Sequence, residues 1–214
     1  MMNSLRASAS FRYIRRTHFV HNYVRPIYAK RLLLNWWAEG RPAPPPHDVK
    51  LSAILYLADR IDATVLVETG SYLGDTLRAM RERFDLIISI EIAPKFAQPL
   101  QREFAHDNNV RVILGDSGIE LPNILAEIKQ PTIFWLDAHY SGGSTLGSGY
   151  VPIYAEIDTI ARLAPEKHAI LIDDLKNFDG TEGYPTAIAL VGRLRALNYD
   201  VATFNNMFHV TNKQ

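Results

Sequence analysis

From Val49 onward, the spacing of apolar positions switches repeatedly between two periods. Residues 49–61, VKLSAILYLADRI, place apolar side chains at helical spacing. Residues 64–68, TVLVE, form a short apolar run that reads as a buried strand. The alternation then continues along the chain. Helices are predicted over 75–84, 94–107, 121–129, 154–164 and 185–197. Strands are predicted over 85–91, 110–116, 132–137 and 168–174. Pro99 predicts an irregularity in the second of those helices. The last segment, YDVATFNNMFHVTN, reads as two strands around an Asn205-Asn206 turn. Strands alternating with helices imply an α/β fold, a parallel sheet with helices on both faces.

Ahead of this pattern lie two other segments. Residues 1–40 form a basic, aromatic arm in which Val20, Tyr23, Val24, Ile27 and Tyr28 recur at helical spacing, with Pro26 starting or kinking a helix. Residues 41–48, RPAPPPHD, read as a stiff extended linker, which leaves 49–214 as the main domain.

Composition narrows the class. The chain has 214 residues, 47% of them hydrophobic, which suits a globular domain with a sizeable core. It has no cysteine, which excludes a disulfide scaffold and a Cys-ligated metal site. Net charge is zero but unevenly spread: residues 1–38 carry seven Arg or Lys and no acid, leaving 16 basic and 23 acidic residues after them. No apolar run reaches the roughly 20 residues of a membrane span. A cytoplasmic protein is the expectation, and the acid-poor, Arg-rich start leaves an organelle transit segment open. The arm has three competing readings: peripheral contact with an anionic membrane, RNA binding, or packing of Trp36-Trp37 on the domain or on a second subunit of a homo-oligomer. The acidic domain makes nucleic acid the least favoured partner.

The chemistry lies at the strand ends. In open α/β sheets ligands bind beyond the carboxyl ends of the strands. Here all five of the predicted ends carry acid: Glu68, Glu91, Asp116, Asp137 and the pair Asp173-Asp174. The first turn, ETGSYLGDT, has Gly70, Ser71 and Gly74 where backbone could approach a ligand. It lacks the G-x-G-x-x-G spacing of a dinucleotide site, and Glu68 would repel a pyrophosphate. A cationic ligand fits better, and S-adenosylmethionine carries an ammonium and a sulfonium. Glu91 could accept both hydroxyls of a ribose. Asp116 and Ser117 could meet an adenine amino group, or Asp116 could simply cap the following helix. Each acid, taken singly, could also be an ordinary solvated loop residue.

These residues resemble the class I S-adenosylmethionine-dependent methyltransferases over about 49–214, with VETGSYLG, SIE and GDS as the cofactor motifs. The resemblance implies a Rossmann-like, doubly wound sheet of seven strands in the order 3-2-1-4-5-7-6, strand 7 antiparallel. A narrower resemblance is to metal-dependent O-methyltransferases of the catechol, caffeoyl-CoA and macrocin types. WLDAHY and LIDDLK then supply Asp137, Asp173 and Asp174 as ligands of Mg²⁺ or a similar dication. The implied acceptor is a hydroxyl of a sugar or another small molecule. The lysine base of the catechol-type enzymes has no clear counterpart. The chain offers His139, two residues past Asp137, as a base, a further ligand, an orienting donor, or a histidine held by loop backbone. The glycines of SGGSTLGSG read either as a loop closing over the site or as a surface connection. Tyr140, Tyr150 and Tyr184 are candidates to line an acceptor pocket. The alternative from another class is a non-catalytic module of this fold that binds cofactor or glycan.

Overall fold

The computed structural model describes residues 25–137 and 152–213, with side chains from Lys30 onward. It divides into two compact units, Met1–Lys50 and Leu51–Gln214. In the first, helix α1 (Arg25–Ala38) has Pro26 in its opening turn, where a missing amide hydrogen costs nothing. The chain then folds back on the helix end. The Trp36 indole donates to Pro42 O at 2.7 Å, and the Arg41 guanidinium lies 5.0 Å from the Trp37 ring centre. Helix α2 (His47–Ile61) takes in His47 and Asp48, the last two residues of the stretch read as linker. Asp48 sits in its first turn, where a carboxylate favours the helix dipole.

The second unit holds the sheet. Its strands are β1 (Val65–Thr69), β2 (Leu86–Glu91), β3 (Val110–Leu114), β4 (Thr132–Leu136), β5 (His168–Ile172), β6 (Tyr199–Phe204) and β7 (Met207–Asn212). Their order is 3-2-1-4-5-7-6; β1 to β5 run parallel and β7 lies antiparallel between β5 and β6. Asn205 and Asn206 both take positive φ, 49° and 63°, which makes the two-residue turn that suits a twisted hairpin. The remaining helices are α3 (Asp75–Met80), α4 (Pro94–Glu103), α5 (Ser117–Glu127), α6 (Ile153–Leu163) and α7 (Ala187–Ala196). Among the described residues, no helix is long and apolar enough to cross a membrane.

Side-chain alternation along the strands divides the core between two faces. Val65, Val67, Ile88, Ile90, Phe134, Leu136, Ile170 and Ile172 pack with residues of α5, α6 and α7. Leu66, Ile87, Ile133 and Leu171 alternate with them and are fully buried on the opposite face.

α3, α4 and α5 each differ by four residues at one end from their predicted extents. α3 stops at Met80, four residues short of Phe84, because the chain must turn there into β2: the Arg83 and Phe84 amides both reach Met80 O. Pro99 lies inside a continuous α4. α5 begins four residues earlier than predicted and runs through Pro122.

Candidate functional site

The rim at the carboxyl ends of β1 to β5 gathers the predicted acids. Its shape follows from strand register. Leu136 pairs with Ile172, so the next residues of β4 and β5, Asp137 and Asp173, stand side by side on one face. Backbone bonds hold them there: Asp137 N donates to Thr69 O at 2.9 Å and Asp173 N to Leu136 O at 3.1 Å. Asp174 adopts φ 55°, a left-handed turn that brings its carboxylate back toward the other two. The hairpin tip supports this turn. Leu175 N donates to Asn206 O, Lys176 N to Asn206 Oδ1, and Asn206 Nδ2 to Asp174 Oδ1 at 3.2 Å.

Carboxyl oxygens of Asp137, Asp173 and Asp174 all lie within 4.8 Å of one another, and Asp173 is fully buried. Ligand oxygens around a Mg²⁺ at about 2.1 Å are separated by about 3 to 4.2 Å. Three hard oxygens at this spacing suit Mg²⁺ better than a thiophilic metal, and like charges this close repel unless a cation lies among them.

The next part of the rim is the first turn. Gly70 and Gly74 take φ 88° and 75°, conformations that favour glycine. A Cβ at Gly74 would clash with Leu100 Cδ2, so α3 starts hard against α4. Glu68 is 2% exposed and sits in a chain of hydroxyls: Ser89 donates to it at 2.5 Å, and Ser71 and Ser89 are 2.5 Å apart. Burial pushes the Glu68 carboxyl up to about 7, against the opposing pull of the Ser89 and Thr76 hydroxyls. Glu91 accepts from Tyr72 N at 2.9 Å and Ala93 N at 2.8 Å, one on each oxygen, which locks its carboxylate beside the turn. Each oxygen retains a lone pair for a ligand. Asp116 is the N-cap of α5, accepting from Gly118 N at 2.8 Å, and Ser117 opens that helix, buried.

Two residues escaped the sequence reading. Ser89 is the polar position inside the otherwise apolar LIISIE strand. Glu156 lies on the buried stripe Ile153, Glu156, Ile157, Ile160 of α6, at the i, i+3, i+4, i+7 spacing of an apolar face. An acid on such a stripe is the signal that could have found it. It is 2% exposed, and burial pushes it up to about 7. The Ser117 hydroxyl lies close enough to its carboxyl to oppose that shift. The Thr69 hydroxyl lies near enough to bear on it but outside good hydrogen-bond geometry, so Thr69 Oγ1 and Glu156 Oε1 both lack a partner among the described residues.

A cavity of about 400 Å³ opens between the start of α6 and the loop before α7; its described lining includes Ile153, Tyr154, Tyr184, Pro185 and Thr186, none of them charged. Tyr184 thus lines a pocket. His139, Tyr140, Tyr150 and the glycines of 142–149 lie outside the described residues, as does the arm before Arg25.

No family model matches the chain, and no curated protein does. Solved structures do. The O-methyltransferase TomG of Streptomyces achromogenes, involved in tomaymycin synthesis and bound to S-adenosylmethionine, aligns with a TM-score of 0.57 at 11% identity, over 87% of this chain and 89% of that one. An O-methyltransferase of Bacillus cereus bound to S-adenosylhomocysteine aligns at 0.56 and 15% identity, over 91% and 96%. The Podospora anserina methyltransferase PaMTH1, also bound to S-adenosylhomocysteine, aligns at 0.54 and 16% identity, over 92% and 97%. The chain therefore has the fold of the class I S-adenosylmethionine-dependent methyltransferases.

Proposed function

We propose that this protein is an S-adenosylmethionine-dependent O-methyltransferase assisted by a divalent cation, acting on a hydroxyl of a sugar or another small molecule. The observation that carries the reading is the convergence of Asp137, Asp173 and Asp174 to within 4.8 Å on the rim of a methyltransferase-type sheet.

S-adenosylmethionine, when bound, supplies a methyl group on a sulfonium. Glu68, as the carboxylate, pairs with its ammonium, and Gly70 and Gly74 let the turn's backbone come close. Glu91, held by two backbone amides, takes the ribose hydroxyls, and Asp116 with Ser117 flanks the adenine. Asp137, Asp173 and Asp174 hold the cation, which when bound lowers the pKa of an acceptor hydroxyl. His139 takes the proton that the acceptor oxygen loses. The protein otherwise contributes orientation, the larger part of what a methyl transfer needs.

The test is methyl transfer from labelled S-adenosylmethionine to panels of sugars and phenols, with Mg²⁺ or a chelator. Turnover should need the metal, and Asp137→Asn and Asp174→Asn should lower it by about 100-fold or more while S-adenosylhomocysteine affinity changes little. Folded variants that lose cofactor affinity, or turnover indifferent to the chelator, would remove the metal from the proposal. Cofactor binding with no transfer to any acceptor would favour a non-catalytic module.

A further inference from the structure

Glu156 has no part in the chemistry above, yet it lies where three segments of the rim meet. From α6 it reaches Thr69, whose next residue opens the Gly70–Gly74 turn and whose carbonyl receives the Asp137 amide. It also reaches Ser117, which opens α5. The two helix starts approach closely, since a Cβ at Gly118 would lie 3.7 Å from that of Ala155. Among the described residues, the charged group that bears on Glu156 is the Asp116 carboxylate on α5; the groups facing it from β1 and from the first residue of α5 are the uncharged Thr69 and Ser117. A fully buried carboxyl beside another acid, with no cation bearing on it among the described residues, is held as the neutral acid. A proton on a carboxyl oxygen also turns an acceptor into a donor. That matters here, because Glu156 Oε1 and Thr69 Oγ1 are both buried and unmatched among the described residues. Ionising Glu156, 2% exposed, would set two negative charges against each other with little solvent to screen them.

We propose that Glu156 is a positioning residue which, as the neutral acid, docks the start of α6 against Thr69 and Ser117 and so sets the two turns that receive the methyl donor. This rests on the reading that those turns bind S-adenosylmethionine. Glu156 itself touches neither donor nor acceptor.

The consequence is a pH dependence opposite in sign to that of Glu68. Glu68 must lose its proton to pair with an ammonium, so its titration strengthens binding as pH rises. Glu156 must keep its proton, so its titration weakens binding. Together they give the wild-type affinity a maximum near neutral pH.

The experiment is calorimetric titration of S-adenosylhomocysteine into the full chain between pH 6 and 8.5, with melting curves of the ligand-free protein between pH 5 and 8.5. Wild-type affinity should fall several-fold from pH 7 to 8.5. Glu156→Gln, neutral at every pH, should lose that alkaline fall and keep the acid-side rise, and its melting temperature should gain on the wild type as pH rises. Should Glu156→Gln not fold, Glu156→Met, apolar and of similar volume, provides the same comparison. Wild-type and variant profiles that run parallel in both measurements would overturn the assignment and leave the cofactor reading intact. A wild type that binds no S-adenosylhomocysteine at any pH would overturn the cofactor reading and, with it, this role.

Discussion

At the scale of single residues, two glutamates on opposite faces of β1 share one property: burial lifts each to about 7. In the unfolded chain they titrate near 4.5. Between those values the folded state binds more protons than the unfolded one, so stability falls as pH rises from about 4.5 to about 7 and then levels off. Each group contributes on the order of 3 kcal/mol across that window. Glu68→Gln should therefore gain on the wild type by up to about that amount between pH 5 and 8, read by urea denaturation at both. A constant gap would mean that Glu68 is ionised throughout. The residues legible in sequence were acids that end strands, because the strand period predicts where a strand stops and the fold rule gives that place a meaning. Glu156 was not legible that way. Helical periodicity assigns any acid to the solvent side, and only its coincidence with Ile153, Ile157 and Ile160 marks it as buried. Ser89 was missed for a related reason: one small polar residue does not interrupt an apolar strand.

At the scale of elements, the strands were placed closely and the helix ends were not. Strand ends are fixed by where polar residues begin. The end of α3 is set by the need to enter β2, and Met80 and Phe84, four apart and both apolar, look like a continuing helix. The turns carry two predictions. Gly74→Ala faces both a left-handed backbone and the Leu100 side chain, which at 1% exposure is packed on its other sides. It should destabilise the protein by about 1–3 kcal/mol, seen as a lower denaturant midpoint; an unchanged midpoint would show that the turn relaxes freely. Asn206→Ala removes the side chain that accepts from Lys176 N and donates to Asp174. With Asp174 less firmly oriented, Mg²⁺ affinity should drop about 10-fold or more, measured by calorimetry. An affinity equal to the wild type would place the hairpin tip outside the metal site's support.

At the scale of the whole molecule, the order 3-2-1-4-5-7-6 follows from consistent physical choices. Parallel strands need crossovers of one hand, and reversing direction after β3 puts the later helices on the opposite face. The closing hairpin then inserts β7 beside β5 through a turn that Asn205-Asn206 can make. That topology leaves the ends of β1, β2, β4 and β5 on one rim, and it is why acids far apart in sequence become neighbours. The acceptor was less legible, because pocket walls come from loops and helix starts that no period describes. The direct test of the account is a calorimetric titration of S-adenosylhomocysteine and then Mg²⁺ into the wild type and Asp174→Asn. The account predicts one S-adenosylhomocysteine per chain in both proteins, and one Mg²⁺ site in the wild type that the variant lacks. A folded wild type that binds neither would contradict it.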